Sequence, residues 1–376
     1  MENLKVNYNK FRESLEQTKN ENFKKSSIFF SRICDPTDFE FCNEFWSEFT
    51  LKSSINVPNS YDSIDQIDTI SSNLEITSSK VIQTPSIPNE EVCIKNFENK
   101  LTTGRKLVVS GFLCLTINYI SIYKDKNVQS FSVKIPFSNF IVLSKYVSIN
   151  NKFIDPLNVE FLASACLENI NVTEINNRNI KFTTNIFLTA CCSECVKNEN
   201  SKCFLNSNLF PEIYGLCNKN ILNNLLISDI NSINYWNQIS LSKIFTLPLD
   251  KPDIIQILSV SSKFKLIDKK FISTPKSNDN NLNNLSLTGK KLIVNGLLCQ
   301  RMEYISKTEN QEVISIDIII PISSYIMLPN NYPYYNKFNI CFCLENVDLC
   351  CLNNRQVFSS AVVFLKAKPK QCSNIC

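Results

Sequence analysis

Seventeen cysteines and no histidine set the chemistry open to this 376-residue chain. The densest group is Cys191-Cys192-Ser193-Glu194-Cys195, followed by Cys203 and Cys217. Cys192 and Cys195 form a C-x2-C, and with Cys203 and Cys217 they make a candidate four-thiolate zinc site. The second C-x2-C that such sites usually show is missing, so disulfides or crosslinks are the favoured reading and no metal or other cofactor is expected. A redox C-x-x-C needs a helix N-terminus to acidify its thiol, and this one ends a strand pattern. Cys34, Cys42, Cys350, Cys351, Cys372 and Cys376 complete the crosslink candidates. The count is odd, so at least one thiol is free, joined to another chain or bound to something else.

Other chemistries are poorly supplied. Without histidine there is no Ser/His/Asp constellation and the commonest general base is missing. Five glycines leave little to build a phosphate-cradling loop. A net charge of +4 spread along the chain does not make the clustered basic face of a nucleic-acid binder. No apolar run approaches the ~18 residues of a membrane span. Met1 to Phe23 is polar and charged, with no signal-peptide core. In a chain without an export signal, either the cysteines stay reduced or bind metal, or they are oxidised only after assembly. Glu168 and Arg178 stand ten residues apart, as do Glu345 and Arg355, and both pairs read as cross-strand ion pairs.

The elements that would position these residues come in two copies. Gly104-Arg-Lys-Leu-Val-Val-Ser-Gly-Phe-Leu-Cys114 lines up with Gly289-Lys-Lys-Leu-Ile-Val-Asn-Gly-Leu-Leu-Cys299 at a shift of 289 − 104 = 185. Without a gap to Leu143 and Leu328, the two share 17 identities over 40 positions, where chance gives roughly two or three. Downstream, Cys166-Leu-Glu-Asn169 and Asn176-Asn-Arg178 match Cys343-Leu-Glu-Asn346 and Asn353-Asn-Arg355 at a shift of 343 − 166 = 177. Upstream, Trp46, Pro58, Gln66-Ile67 and Thr84-Pro85 match Trp236, Pro248, Gln256-Ile257 and Thr274-Pro275 at a shift of 236 − 46 = 190. The shifts change only in polar stretches, as loop insertions do. Cys114/Cys299 and Cys166/Cys343 recur inside strand patterns, which suits either buried free thiols acting as small hydrophobes or a bond within each repeat.

The repeats read as strands. Leu107, Val109, Gly111, Leu113 and Leu115 share one face of a pleated run, and Ser130–Ile135 and Ile314–Ile320 alternate in the same way. Asn176-Asn177 and Asn353-Asn354 suit hairpin turns. Helix is expected only over Lys10–Lys25 and Ile221–Ile230. The predicted fold is mainly β, with two tandem homologous β-sandwich-like domains, an N-terminal extension and a Cys-containing linker. The boundaries expected are 1–45 for the extension, 46–195 for the first domain, 196–235 for the linker and 236–376 for the second domain with its tail. Phe29, Phe30, Phe39, Phe41, Phe45 and Trp46 suit an arm that packs on its own domain or adds a strand to a neighbour.

At these residues the chain resembles the SPOCS domain family of spore-coat and spore-morphogenesis proteins. The resemblance rests on Thr-Gly-Arg/Lys-Lys-Leu-x-Val-x-Gly at 103–111 and 288–296, on Tyr119-Ile120 and Tyr304-Ile305, and on Pro136-Phe-Ser and Pro321-Ile-Ser. Lys251-Pro-Asp-Ile254 and Ile272-Ser-Thr-Pro275 extend it upstream, while the first repeat has Tyr61-Asp-Ser63 in place of Lys-Pro-Asp. The resemblance implies a non-enzymatic, self-assembling protein of the spore surface (coat, exosporium lattice or appendage fibre), made in the mother-cell cytoplasm and crosslinked through cysteine. The alternative it implies is a scaffold or adaptor that recruits other spore coat proteins.

Overall fold

The computed structural model describes residues 29–31, 45–86, 93–123, 127–196, 211–227, 233–277, 287–332 and 338–369. The strand expectation is met: the described chain is mainly β. In the first half the strands are β1 (Phe29–Ser31), β2 (Trp46–Asn56), β3 (Ile64–Gln83), β4 (Ile94–Lys95), β5 (Leu101–Thr102), β6 (Arg105–Ser121), β7 (Val128–Val142), β8 (Val147–Ile149), β9 (Lys152–Ile154), β10 (Val159–Asn176) and β11 (Asn179–Val196). β12 (Glu212–Tyr214) and a helix, α1 (Lys219–Ile227), lie between the halves. The second half holds β13 (Trp236–Thr246), β14 (Ile254–Lys276), β15 (Thr288–Ser306), β16 (Val313–Leu328), β17 (Phe338–Asn353) and β18 (Gln356–Pro369). α1 falls where a short linker helix is expected; Lys10–Lys25 lies outside the described residues.

Sheet order in the two halves runs in parallel. The first has a four-stranded sheet β1-β3-β6-β7 and a three-stranded sheet β10-β11-β2; the second has β12-β14-β15-β16 and β13-β18-β17. In each half the inner faces of the two sheets close on one core. Leu107, Val109, Leu113, Leu115 and Ile117 of β6 meet Ile180, Phe182, Ile186 and Leu188 of β11. Val294, Leu298 and Met302 of β15 meet Val357, Ala361, Val363 and Leu365 of β18. Period-2 alternation produces this directly, since every second side chain of a strand faces the same side.

The repeated motif is mostly backbone engineering. Gly104 and Gly289 open their strands with φ of 91° and 85°, a region where a side chain is strained. At Gly111 a Cβ would stand 2.3 Å from the Glu75 carbonyl oxygen, and at Gly296 one would stand 2.4 Å from the Phe264 ring, so both positions must lack one. Tyr119 and Tyr304 are fully buried anchors whose hydroxyls donate to the backbone carbonyls of Asp62 and Pro252.

The short edge strands also correspond. β1 pairs parallel with β3 through Phe29–Thr69, Phe30–Ile70 and Ser31–Ser71. β12 pairs parallel with β14 through Glu212–Ser259, Ile213–Val260 and Tyr214–Ser261. Phe29 and Phe30 therefore extend a sheet of their own chain, and Phe45 sits in the first core. Phe39 and Phe41 lie outside the described residues.

Candidate functional site

The cysteines distribute over separate places. Cys166 and Cys191 are disulfide-bonded. Their strand partners are Phe187 and Leu162, four register positions apart, or about 13 Å along the strand. That exceeds the reach of one disulfide, so they are not bonded to each other. Cys192 is a free thiol packed against the first core, and Cys217 is a free thiol beside the second half's outer cluster. These two members of the candidate zinc set thus belong to different cores. The Cys195 side chain and all of Cys34, Cys42, Cys203, Cys372 and Cys376 lie outside the described residues. Among the described residues no three metal-ligating side chains converge. Cys350 and Cys351 are free and exposed near the tip of the β17–β18 hairpin.

A thiol pair stands out that sequence spacing does not reveal. The Cys217 amide donates to the Leu344 carbonyl at 3.0 Å, which brings Cys217 against Cys343 of β17. A hydrogen bond from Cys343 lowers the Cys217 thiol below its ordinary range, although burial opposes this. The same contact, reinforced by burial, pushes Cys343 far up. Cys343 is a buried free thiol, whereas its counterpart Cys166 is disulfide-bonded.

The expected Glu–Arg ion pairs do not form. Arg178 sits at the β10–β11 turn and donates to the carbonyls of Tyr61, Val57 and Pro58, tying that turn to the β2–β3 connection. Arg355 does the same with Lys251, Leu247 and Pro248, and adds Asp253 at 2.7 Å. Each arginine is held at a turn, and the glutamate ten residues earlier lies well along the strand, out of reach.

Glu345 instead joins the two halves. Its carboxylate pairs with Lys106 of β6 at 2.5 Å, with side-chain exposures of 1% for Lys106 and 0% for Glu345. Gln238 of β13 donates to the other carboxylate oxygen at 3.1 Å, and the Lys106 ammonium lies 4.2 Å from the Phe140 ring centre. Burial pulls the Lys106 ammonium down and pushes the Glu345 carboxyl up, each countered by the other's charge. Around the pair, Ile82, Val108 and Phe140 of the first half enclose Val362 of the second, and the Ser240 hydroxyl donates to the Ser138 carbonyl. The outer face of β3-β6-β7 thus lies on the outer face of β13-β18-β17.

The 93–102 segment extends this contact. Asn96 donates to the Trp236 carbonyl, Lys100 to the Asn237 side chain, and the Tyr325 hydroxyl to Glu98 at 2.6 Å. Ile94, together with Leu222, Leu225 and Leu226 of α1, covers Trp236 and Phe364. Lys366 donates to the Leu226 carbonyl at the end of α1, where a cation suits the helix dipole. Side chains here bind one another through apolar contact and matched charge, and the surface is organised for sheet-on-sheet association.

Residues 63–161 match the protein-family model described as "SipL, SPOCS domain". That stretch runs from the start of β3 to the start of β10, within the first half. No curated protein matches. Among solved structures, one titled "Crystal structure of lipopolysaccharide binding protein" aligns over 85% of this chain and 91% of its own at 7% identity. Its TM-score of 0.11 carries no argument about fold or function. No helix among the described residues is long and apolar enough to cross a membrane.

Proposed function

We propose that this chain is a structural, self-assembling protein of a bacterial spore's surface layers, stabilised by disulfide crosslinks and not an enzyme. The observation that carries the reading is the match of residues 63–161 to the SPOCS model, a domain that points to sporulation. Strands β12 to β18 repeat the sheet order around that match, and we read residues 236–376 as a second copy of the same domain following a linker. With two copies in one chain, the second repeat of one molecule can meet the first of the next much as the halves meet within a chain, and such heterologous contacts grow head-to-tail. The charged and polar side chains at the contact are engaged with one another, as in an assembly surface.

Crosslinking fits this role because noncovalent contacts dissociate on dilution or in denaturant. A disulfide contributes about 2–4 kcal/mol, and one between molecules also resists dilution. Cys34, Cys42, Cys372 and Cys376 are the candidates we put forward for bonds between chains. The test has two parts. Purified protein viewed by electron microscopy should form regular sheets or filaments; monodisperse particles would favour a scaffold that recruits other coat proteins. Assembled material boiled in detergent should release the 43.1 kDa chain only with a reductant. Equal release without reductant would show that cysteines do not hold the layer together.

A further inference from the structure

The contact inside the chain uses a different face from each half, and each half also owns the face that the other contributes. Two faces are left over, in that no sheet of the other half covers them among the described residues: the outer side of β14-β15-β16, touched by Glu98 at Tyr325, and the outer side of β2-β11-β10, which also bears the disulfide-bonded Cys166. The repeat alignment shows what they carry. On the first of these, Ile272, Lys291, Ile293 and Tyr325 take the places of Ile82, Lys106, Val108 and Phe140. The register agrees: Ile272 pairs with Lys291 as Ile82 pairs with Lys106, and Ile293 with Tyr325 as Val108 with Phe140. Lys291 lies 4.0 Å from the Tyr325 ring centre, the same arrangement as Lys106 over Phe140.

On the other left-over face, Glu168 takes the place of Glu345 and is exposed. Glu48, equivalent to Gln238, stands close enough to add to the rise that burial imposes on the Glu168 carboxyl, so two carboxylates share this surface. Trp46 stacks on Phe187 at 22° as Trp236 stacks on Phe364 at 23°, but Trp46 is 52% exposed where Trp236 is fully buried. Among the described residues neither Lys291 nor Glu168 belongs to an ion pair. One face holds a lysine among apolar side chains; the other holds its matching carboxylate.

We propose that these two faces bind each other between molecules: β14-β15-β16 of one chain seats on β2-β11-β10 of the next, with Lys291 paired to Glu168. This rests on the self-assembly reading and supplies its contact. The occupant is a second copy of this chain, because the complementary charge and the stacking surface are already present on the opposite half. The contact is heterologous, so it propagates instead of closing as a two-fold dimer. It is also more polar than the internal one, since Asn185 replaces Val362 and Glu48 replaces Gln238. Association between molecules is therefore weaker than the union of the halves, which suits units that assemble first and crosslink later.

A charge swap tests this on the full chain. Lys291→Glu presents glutamate on both left-over faces, and Glu168→Lys presents lysine on both. Each variant alone should self-associate at least roughly 30-fold more weakly than the parent by sedimentation, because like charges then meet in a desolvated contact. Mixed one to one, every junction pairs glutamate with lysine, and assembly should return. Both substitutions lie on exposed or half-exposed positions, and circular dichroism confirms folding before mixing. If the parent assembles and either variant assembles equally well, or if the mixture fails to assemble, this contact is wrong while self-assembly stands. If the parent stays monomeric, the self-assembly reading itself falls.

Discussion

Trp46 and Trp236 begin equivalent strands and stack on equivalent phenylalanines, yet one is half exposed and the other fully buried. Glu168 and Glu345 differ in the same direction, and so do Lys291 and Lys106. In each comparison the local strand is alike and the environment is not. The buried members are covered by the other half of the chain or by α1. The comparison teaches that these positions lie on the outer face of a sheet and become core only where another part of the chain packs on them.

The largest effects should come from breaking the buried pair. Lys106→Met leaves Glu345 buried and uncompensated, and urea unfolding should show a loss of about 3–5 kcal/mol. Lys291→Met should stay within about 0.5 kcal/mol in the dissociated chain, as surface substitutions do. A double replacement, Lys106→Met with Glu345→Leu, should recover most of the loss, because removing both charges also removes their desolvation cost. An additive double variant would mean the two side chains act independently.

The tryptophans give the next contrast. Trp236→Ala removes a fully buried ring and should cost about 3–5 kcal/mol. Trp46→Ala removes a ring half in water and should cost less than half as much in the same denaturation experiment. Equal losses would mean that Trp46 is covered in solution.

Cys217 and Cys343 should differ in reactivity. The hydrogen bond from Cys343 favours the Cys217 thiolate, whereas Cys343 is buried and held protonated. Iodoacetamide on reduced, folded protein should label Cys217 at lower pH and much faster than Cys343, which should react only after unfolding. Peptide mass spectrometry over a pH series reads this, and equal labelling would show that the pair is not in contact.

The smallest effect concerns Glu168. Its carboxyl is raised by burial and by Glu48. A raised carboxyl contributes stability below its unfolded pKa and loses it as pH rises through the folded one. In the dissociated chain, Glu168→Gln should therefore flatten the decline in stability from mildly acidic to neutral pH. Solvent screening keeps this shift small, and an unchanged pH profile would show that Glu48 does not reach it.

Much of this fold was legible in the residues. Alternation in Leu107–Leu115 placed β6 and its inward face, and Asn176-Asn177 and Asn353-Asn354 placed the hairpin turns, because strand periodicity and turn chemistry are local. Gly111 and Gly296 recur where strand propensity argues against glycine, which was the available signal for the close approach that the structure shows there. Lys106 and Lys291 recurred on the outward side of an otherwise apolar run, and Glu168 and Glu345 recurred beyond them. That was the available signal for the contact. The partner was not legible: ten-residue spacing suggested Arg178 and Arg355, while the lysine that binds Glu345 is 239 residues away.

The sequence by itself determined the mainly β character, the repeated motif and the positions of the turns, since each depends on neighbours within a strand or a hairpin. Only the tertiary structure decided which lysine meets Glu345, which tryptophan is buried, and that Cys217 lies against Cys343. These follow from how one sheet lands on another, and two similar surfaces acquire different fates when, among the described residues, a sheet of the other half covers only one of each kind.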